Sequence, residues 1–131
     1  GLNRAAPYDL RVDRMDSHGG WAATPADVLR FLFTVDGIAS PPDLLQAATR
    51  TAMTTASAVN PGSATMPGYA RGWAVNSVST IWHDGTLPGT QAILVRPSDG
   101  RAWCAVCNTG RPNSALAGEF DDLMWKAQQA I

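Results

Sequence analysis

The segment Ile81-Trp82-His83-Asp84-Gly85-Thr86-Leu87-Pro88-Gly89-Thr90 decides how the chain is read. It joins an apolar, strand-like entry to a titratable imidazole, then a glycine, then a Pro-Gly turn. Gly85 removes the side chain beside the next strand, so a ligand can approach backbone N–H groups closely. The segment is therefore expected to present His83 and an approachable backbone at the edge of a sheet.

Around it the pattern is that of an antiparallel meander. Tyr69–Val75 reads as a strand, Asn76-Ser77 as a turn and Val78–His83 as a second strand. Gln91–Arg96 is the third strand. Pro97-Ser98-Asp99-Gly100 signals a tight hairpin, and Arg101–Cys107 is the fourth strand. Connections this short favour antiparallel pairing. Upstream, Thr24, Pro25 and Asp27 form a helix start, and Val28, Leu29, Phe31, Leu32 and Val35 supply its apolar face, up to Gly37. Ser40-Pro41-Pro42-Asp43 repeats that grammar for a second helix carrying Leu44, Leu45, Ala48 and Ala52, which ends near Met53. The last helix carries Leu116, Phe120, Leu123, Ala127 and Ile131 on one stripe.

The expected fold is a single α+β domain over 1–131. It comprises an extended lead-in (1–20), a helical part of two helices (21–53), a long loop (54–68), an antiparallel sheet of about four strands (69–108) and a C-terminal helix (114–131) packed on the sheet. A loop as long as 54–68 is expected to be functional or mobile.

Composition narrows the function. A chain of 131 residues with 45% apolar and 16% charged residues is globular, and it buries about 65–70% of its unfolded surface. A net charge of −1 with no basic cluster offers no field for nucleic acid or acidic membranes. No apolar run approaches the roughly 20 residues of a membrane span. Cys104 and Cys107 lie three apart in a strand, hence on opposite faces, and are expected to be buried structural thiols rather than a disulfide.

The candidates for chemistry are few. His83 can serve as a general base, a carboxylate contact or a ligand. The plain alternative is a strand-end histidine bonded to Asp84 or to backbone. His18, with Gly19-Gly20, is either a polar group at the mouth of a cleft or a flexible entry to the first helix anchored by Trp21. With two histidines in the chain, a four-ligand zinc site needs His18, His83, Cys104 and Cys107 together, so no metal is expected. None of Ser17, Ser57, Ser63, Ser77, Ser79 or Ser114 sits in a Gly-x-Ser-x-Gly elbow. Asp84, adjacent to His83, points to the other strand face and is badly placed to orient its ring. Trp73, Trp82 and Trp103 can make a sugar platform, but packing is the preferred reading.

Four elements, in order, carry a resemblance. His18-Gly19-Gly20-Trp21 leads into Thr24-Pro25-Ala26-Asp27-Val28-Leu29-Arg30-Phe31; Tyr69-Ala70-Arg71-Gly72-Trp73 follows; then His83-Asp84-Gly85 with its Pro88-Gly89 turn; then Asp99-Gly100 and an apolar strand ending at Asn108. Together they resemble the C-terminal portion of the serine hydrolase family of β-lactamases, penicillin-binding proteins and related esterases. The resemblance implies the β-lactamase/transpeptidase-like fold and acyl transfer from a small amide or ester, such as a D-alanyl peptide, without a cofactor. It sets His83 where the family usually has lysine in its Lys-Thr-Gly element, and makes the Thr86 backbone N–H an oxyanion donor beside Gly85. His18, Gly19 and Asp84 would contact substrate. Histidine for lysine removes a permanent charge, which favours a peptidase or esterase over a β-lactam hydrolase. It also implies an extracytoplasmic or cell-envelope location.

The chain departs from the family in one large respect. The single lysine, Lys126, is preceded at the required spacing by Leu123, so Ser-x-x-Lys is absent, and neither Tyr8 nor Tyr69 begins a Tyr-x-Asn. Without a nucleophile no acyl-enzyme forms, so the chain is expected to be inert alone. Its expected partner is an N-terminal lobe carrying the nucleophile, with self-association through an uncovered sheet edge if it is isolated. The alternative is a non-catalytic module that binds a peptide or cell-wall glycan.

Overall fold

A computed structural model describes residues 11–38, 41–109 and 115–130. The chain is α+β: the described residues form three α-helices and a five-stranded antiparallel sheet in the order β1-β2-β3-β4-β5. The elements are α1 (Pro25–Phe33), α2 (Ala47–Thr54), β1 (Gly68–Tyr69), β2 (Ala74–Val75), β3 (Ile81–Leu87), β4 (Thr90–Arg96), β5 (Trp103–Cys107) and α3 (Ala115–Gln129). Two compact units share this chain. One draws on residues 11–25, 84–93, 105–109 and 115–130, the other on 26–83 and 94–104 except for the undescribed 39 and 40. No helix among the described residues is long and apolar enough to cross a membrane.

The second unit has its own apolar core. Leu32 of α1, Ala70, Trp73, Ile81 of β3 and Leu94 of β4 are all buried, with Val28, Leu29, Met53, Val75, Ala102 and Cys104 packed around them. Helical spacing explains α1: Val28, Leu29, Leu32 and Val35 fall on one face, whereas Phe31 is rotated off it and is 55% exposed. Trp73 and Trp103 are buried, which leaves no tryptophan platform, and Trp82 is half-buried.

A buried ion pair ties the exit of α1 to the end of β4. Arg96 Nε donates to Asp36 Oδ2 at 3.1 Å, with side-chain exposures of 8% and 1%. Asp36 Oδ1 accepts the Ile38 N–H at 2.9 Å. Arg96 Nη1 donates to the carbonyl oxygens of Pro97 and Arg101. Below it, Asp43 accepts the Gly37 N–H and pairs with Arg50 at 3.1 Å. That use of Asp43 corrects the expected start of the second helix. Residues 41–46 are not helical; Leu44 N–H bonds the Thr34 carbonyl, and α2 begins only after Gln46.

Other expectations shift for local reasons. Of the lead-in, residues 1–10 lie outside the described residues. Val12–Arg14 is a 3-10 turn rather than extended chain, closed by Arg14 N–H on the Arg11 carbonyl and by the Arg11–Asp13 pair. Tyr69–Val75 is a hairpin, not one strand. Gly72 takes φ +84° and Ala70 N–H bonds the Trp73 carbonyl, so Gly68 faces Val75 and Tyr69 faces Ala74. This raises the strand count from four to five. The next turn runs to Thr80, because Asn76 Oδ1 accepts the N–H groups of Val78 and Thr80 and Ser79 adopts φ +61°. The loop 54–68 is fastened down: Ser57 N–H bonds the Tyr69 carbonyl and Tyr69 N–H the Asn60 carbonyl. A Cβ on Gly62 would stand 2.4 Å from the Gly68 nitrogen, so only glycine fits there.

In the first unit, α3 buries Leu116 and Ala117 and half-buries Phe120, Met124, Trp125 and Gln128. Leu123 is 63% exposed and Ala127 is exposed, so the expected stripe is rotated by about one residue; Ile131 lies outside the described residues. Cys104 and Cys107 are free and only half-buried, and burial pushes the Cys104 thiol pKa up.

Three measurements test this account. Asp36→Asn leaves a buried guanidinium without its counter-charge and is expected to lower urea-unfolding stability by about 3–5 kcal/mol. Asp27→Asn, in the exposed Arg30 pair, is expected to change it by less than about 1 kcal/mol. Cys104 keeps its proton above the usual thiol range, so at pH 8 its reaction with a disulfide reagent is expected to be slower in the folded chain than in urea.

Candidate functional site

The segment that opened the sequence reading spans the length of β3, and its two ends differ. Ile81 is buried and Trp82 half-buried, whereas His83, Asp84, Gly85 and Thr86 are all exposed. The cause is the length of the neighbouring strand. β2 pairs with β3 only at Ala74–Trp82 and Val75–Ile81. From His83 onward no described strand lies along the outer edge of β3.

Ladder parity gives the direction of each backbone group. Asn76 N–H bonds the Thr80 carbonyl, so Thr80 and, two residues on, Trp82 turn their backbone polar groups toward β2. By the same alternation Asp84 and Thr86 turn theirs toward that edge beyond the end of β2, and His83, Gly85 and Leu87 turn theirs toward β4. The two-residue Pro88-Gly89 connection, with Gly89 at φ +81°, sets Leu87 opposite Thr90 and Thr86 opposite Gln91. The side chains agree, since Gln91 Nε2 donates to Thr86 Oγ1 at 3.1 Å.

Side chains alternate as well. His83 shares a face with Ile81, while Asp84 and Thr86 share the opposite one. No hydrogen bond joins His83 to Asp84. The imidazole stands edge-on to the ring of Tyr69, with centroids 6.5 Å apart and an interplanar angle of 65°. Gly85 is open: a Cβ there would meet nothing within 4 Å, and its φ is not positive. Neither packing nor backbone strain asks for glycine at this position, so the physical consequence of the missing side chain is access to the strand.

In the first unit, His18 Nδ1 donates to the Met15 carbonyl at 2.6 Å, and the residue is exposed. Gly19 adopts φ +89°, and a Cβ on it would come 3.5 Å from Leu87 Cδ1. The loop carrying His18 and Gly19 therefore lies against the residue that follows Thr86. Trp21 is 81% exposed and is not the anchor expected of it. The residue missed by sequence reasoning is Gln91, 1% exposed, which holds the Thr86 hydroxyl. Its signal was a lone polar side chain heading the apolar run Ala92–Val95. Among the described residues no three of His, Cys, Asp and Glu gather as metal ligands.

The order of a glycine pair, a helix, an exposed His-Asp-Gly strand and a Pro-Gly hairpin agrees with comparison to known families. The family described as Beta-lactamase matches residues 1–123. The chain belongs to the beta-lactamase family. Its α+β fold, with an antiparallel sheet and a C-terminal helix, is consistent with that membership. Neither the curated proteins nor the solved structures contain a match.

Gly85→Val separates access from stability. It is expected to leave the unfolding midpoint unchanged or slightly higher, since valine suits a strand and meets no neighbour, while abolishing whatever ligand binding uses the β3 edge. Urea titration and a binding assay on the same variant check both halves.

Proposed function

We propose that this chain supplies one wall of an acyl-transfer site in a serine hydrolase acting on a small amide or ester, with a D-alanyl peptide as the leading substrate class. The observation that carries the reading is the stretch His83–Thr86, exposed along β3 and opened at Gly85, with β2 ending just before it. In this reading His83 contacts the substrate carboxylate or tunes a nearby proton transfer. The Thr86 backbone N–H, directed to the same edge as β2, acts as an oxyanion donor. Gln91 positions Thr86 through its hydroxyl. His18, Gly19 and Asp84 contact substrate.

The nucleophile comes from another polypeptide segment, because this sequence holds no Ser-x-x-Lys. The chain alone is then inert, and its partner is the lobe that carries the serine. The family's chemistry also supports an extracytoplasmic or cell-envelope location.

A second reading is favoured by one contact. The exposed Tyr69 ring set edge-on to His83 offers an aromatic and polar surface of the kind that binds a peptide or glycan without chemistry.

Labelling with a fluorescent penicillin and a fluorophosphonate distinguishes the two. The chain alone is expected to stay unlabelled. Combined with a lobe bearing Ser-x-x-Lys it is expected to support labelling, and His83→Ala to slow that labelling by about 10²-fold or more. No labelling of the combined protein, together with glycan or peptide binding by the chain alone that His83→Ala weakens, would replace the first reading with the second.

A further inference from the structure

We propose that the second unit carries a binding site for a small, neutral, polyhydroxylated molecule, in the cleft that the Asp36–Arg96 pair helps to line. The cleft has a volume of about 460 Å³, within the range of ligand sites. Its wall contains Asp36 and Arg96, and the hydroxyl residues Thr54, Thr55, Ser79 and Ser98. Val75 and Ile81 give it an apolar floor.

Arg96 is the decisive group. The residue is only 7% exposed, and its Nε and Nη1 are committed to Asp36 and to two carbonyl oxygens. Nη2 carries two further N–H donors. Nε and Nη1 alone find acceptors among the described residues, and Arg96 lines the cleft. A ligand oxygen in the cleft can accept from such a donor in place of water.

The chemistry of that oxygen follows from what is already occupied. Asp36 neutralises the guanidinium, so the site has no net charge with which to draw an anion. A carboxylate grips arginine through two parallel N–H groups, and here both edges have lost one member to protein acceptors. A single hydroxyl or carbonyl oxygen fits. Across the cleft the demand is reversed. Thr54 Oγ1 donates to the Arg50 carbonyl and Thr55 Oγ1 to the Thr51 carbonyl, so their remaining lone pairs can only accept. A ligand that both accepts and donates, over an apolar floor, is a sugar or similar polyol. Ser79 also lines the cleft, in the turn that Asn76 closes, with φ +61°.

The test is a ¹H–¹⁵N NMR titration of the chain with glucose, maltose and N-acetylglucosamine, against acetate and phosphate at matched ionic strength. At least one sugar is expected to give saturable shifts confined to residues 54–56, 79–81 and 96–98 and to the Arg96 Nε–H. Ser98→Trp fills the cleft and is expected to abolish them. Ser79→Gly relieves the positive φ, keeps the fold, and is expected to weaken affinity about fivefold through one lost hydroxyl. The proposal is overturned if no sugar gives saturable shifts, if the shifts survive Ser98→Trp, or if acetate or phosphate produces them and the sugars do not.

Discussion

The buried pair between Asp36 and Arg96 holds together parts of the chain that are 60 residues apart. Asp36 follows α1, and Arg96 closes β4. The same guanidinium reaches the carbonyls of Pro97 and Arg101 and so shapes the turn into β5. Two charges leave water here, which is costly unless each is fully bonded. Asp36 meets that demand with Arg96 and the Ile38 N–H, and Arg96 meets most of it. The core of Leu32, Trp73, Ile81 and Leu94 gains its free energy from burial without direction. The ion pair adds the direction, because only one placement of α1 against the end of β4 satisfies it.

β3 is the second organising element. Its first two residues pair with β2, and Ile81 enters the core; its remaining five extend past the end of β2. An edge along which no described strand lies can receive a partner strand or an extended ligand. The exposed residues here are a histidine, an aspartate, a glycine and a threonine, none of which makes a sticky apolar edge. Gln91 below holds Thr86, and Gly19 lies against Leu87. The edge is thus shaped from beneath and at its tip while its outer side stays accessible, as an enzyme wall or a binding surface requires.

Much of this was legible in the residues. Pro88-Gly89, with residues before and after it that suit strands, specifies a two-residue hairpin, and Thr24-Pro25 specifies a helix start, because these signals act over a few bonds. The strand through Ile81 to His83 was legible for the same reason, whereas its continuation through Asp84 and Gly85 to Leu87 was not. Where two local grammars compete, tertiary contacts or backbone geometry decide between them. Asp43 has the sequence setting of a helix start, but Arg50 and the Gly37 N–H claim its carboxylate. Arg71-Gly72 sits in a strand pattern, but glycine's left-handed φ makes it a turn. Periodicity on α3 identified a helix and misjudged its face, since Leu123 and Met124 are equally apolar and only packing chooses between them.

Read alone, the residues establish the class of the fold, the general order of its elements and the family. All of these follow from turn residues, apolar periods and short motifs, whose physics is local. The tertiary structure alone decided that the pairing of β3 with β2 ends at Trp82, that His83–Thr86 are exposed, that Gln91 holds Thr86, and that Arg96 is buried on Asp36. Each of these depends on which distant groups meet and on how much water they lose in meeting, and no spacing along the chain encodes that.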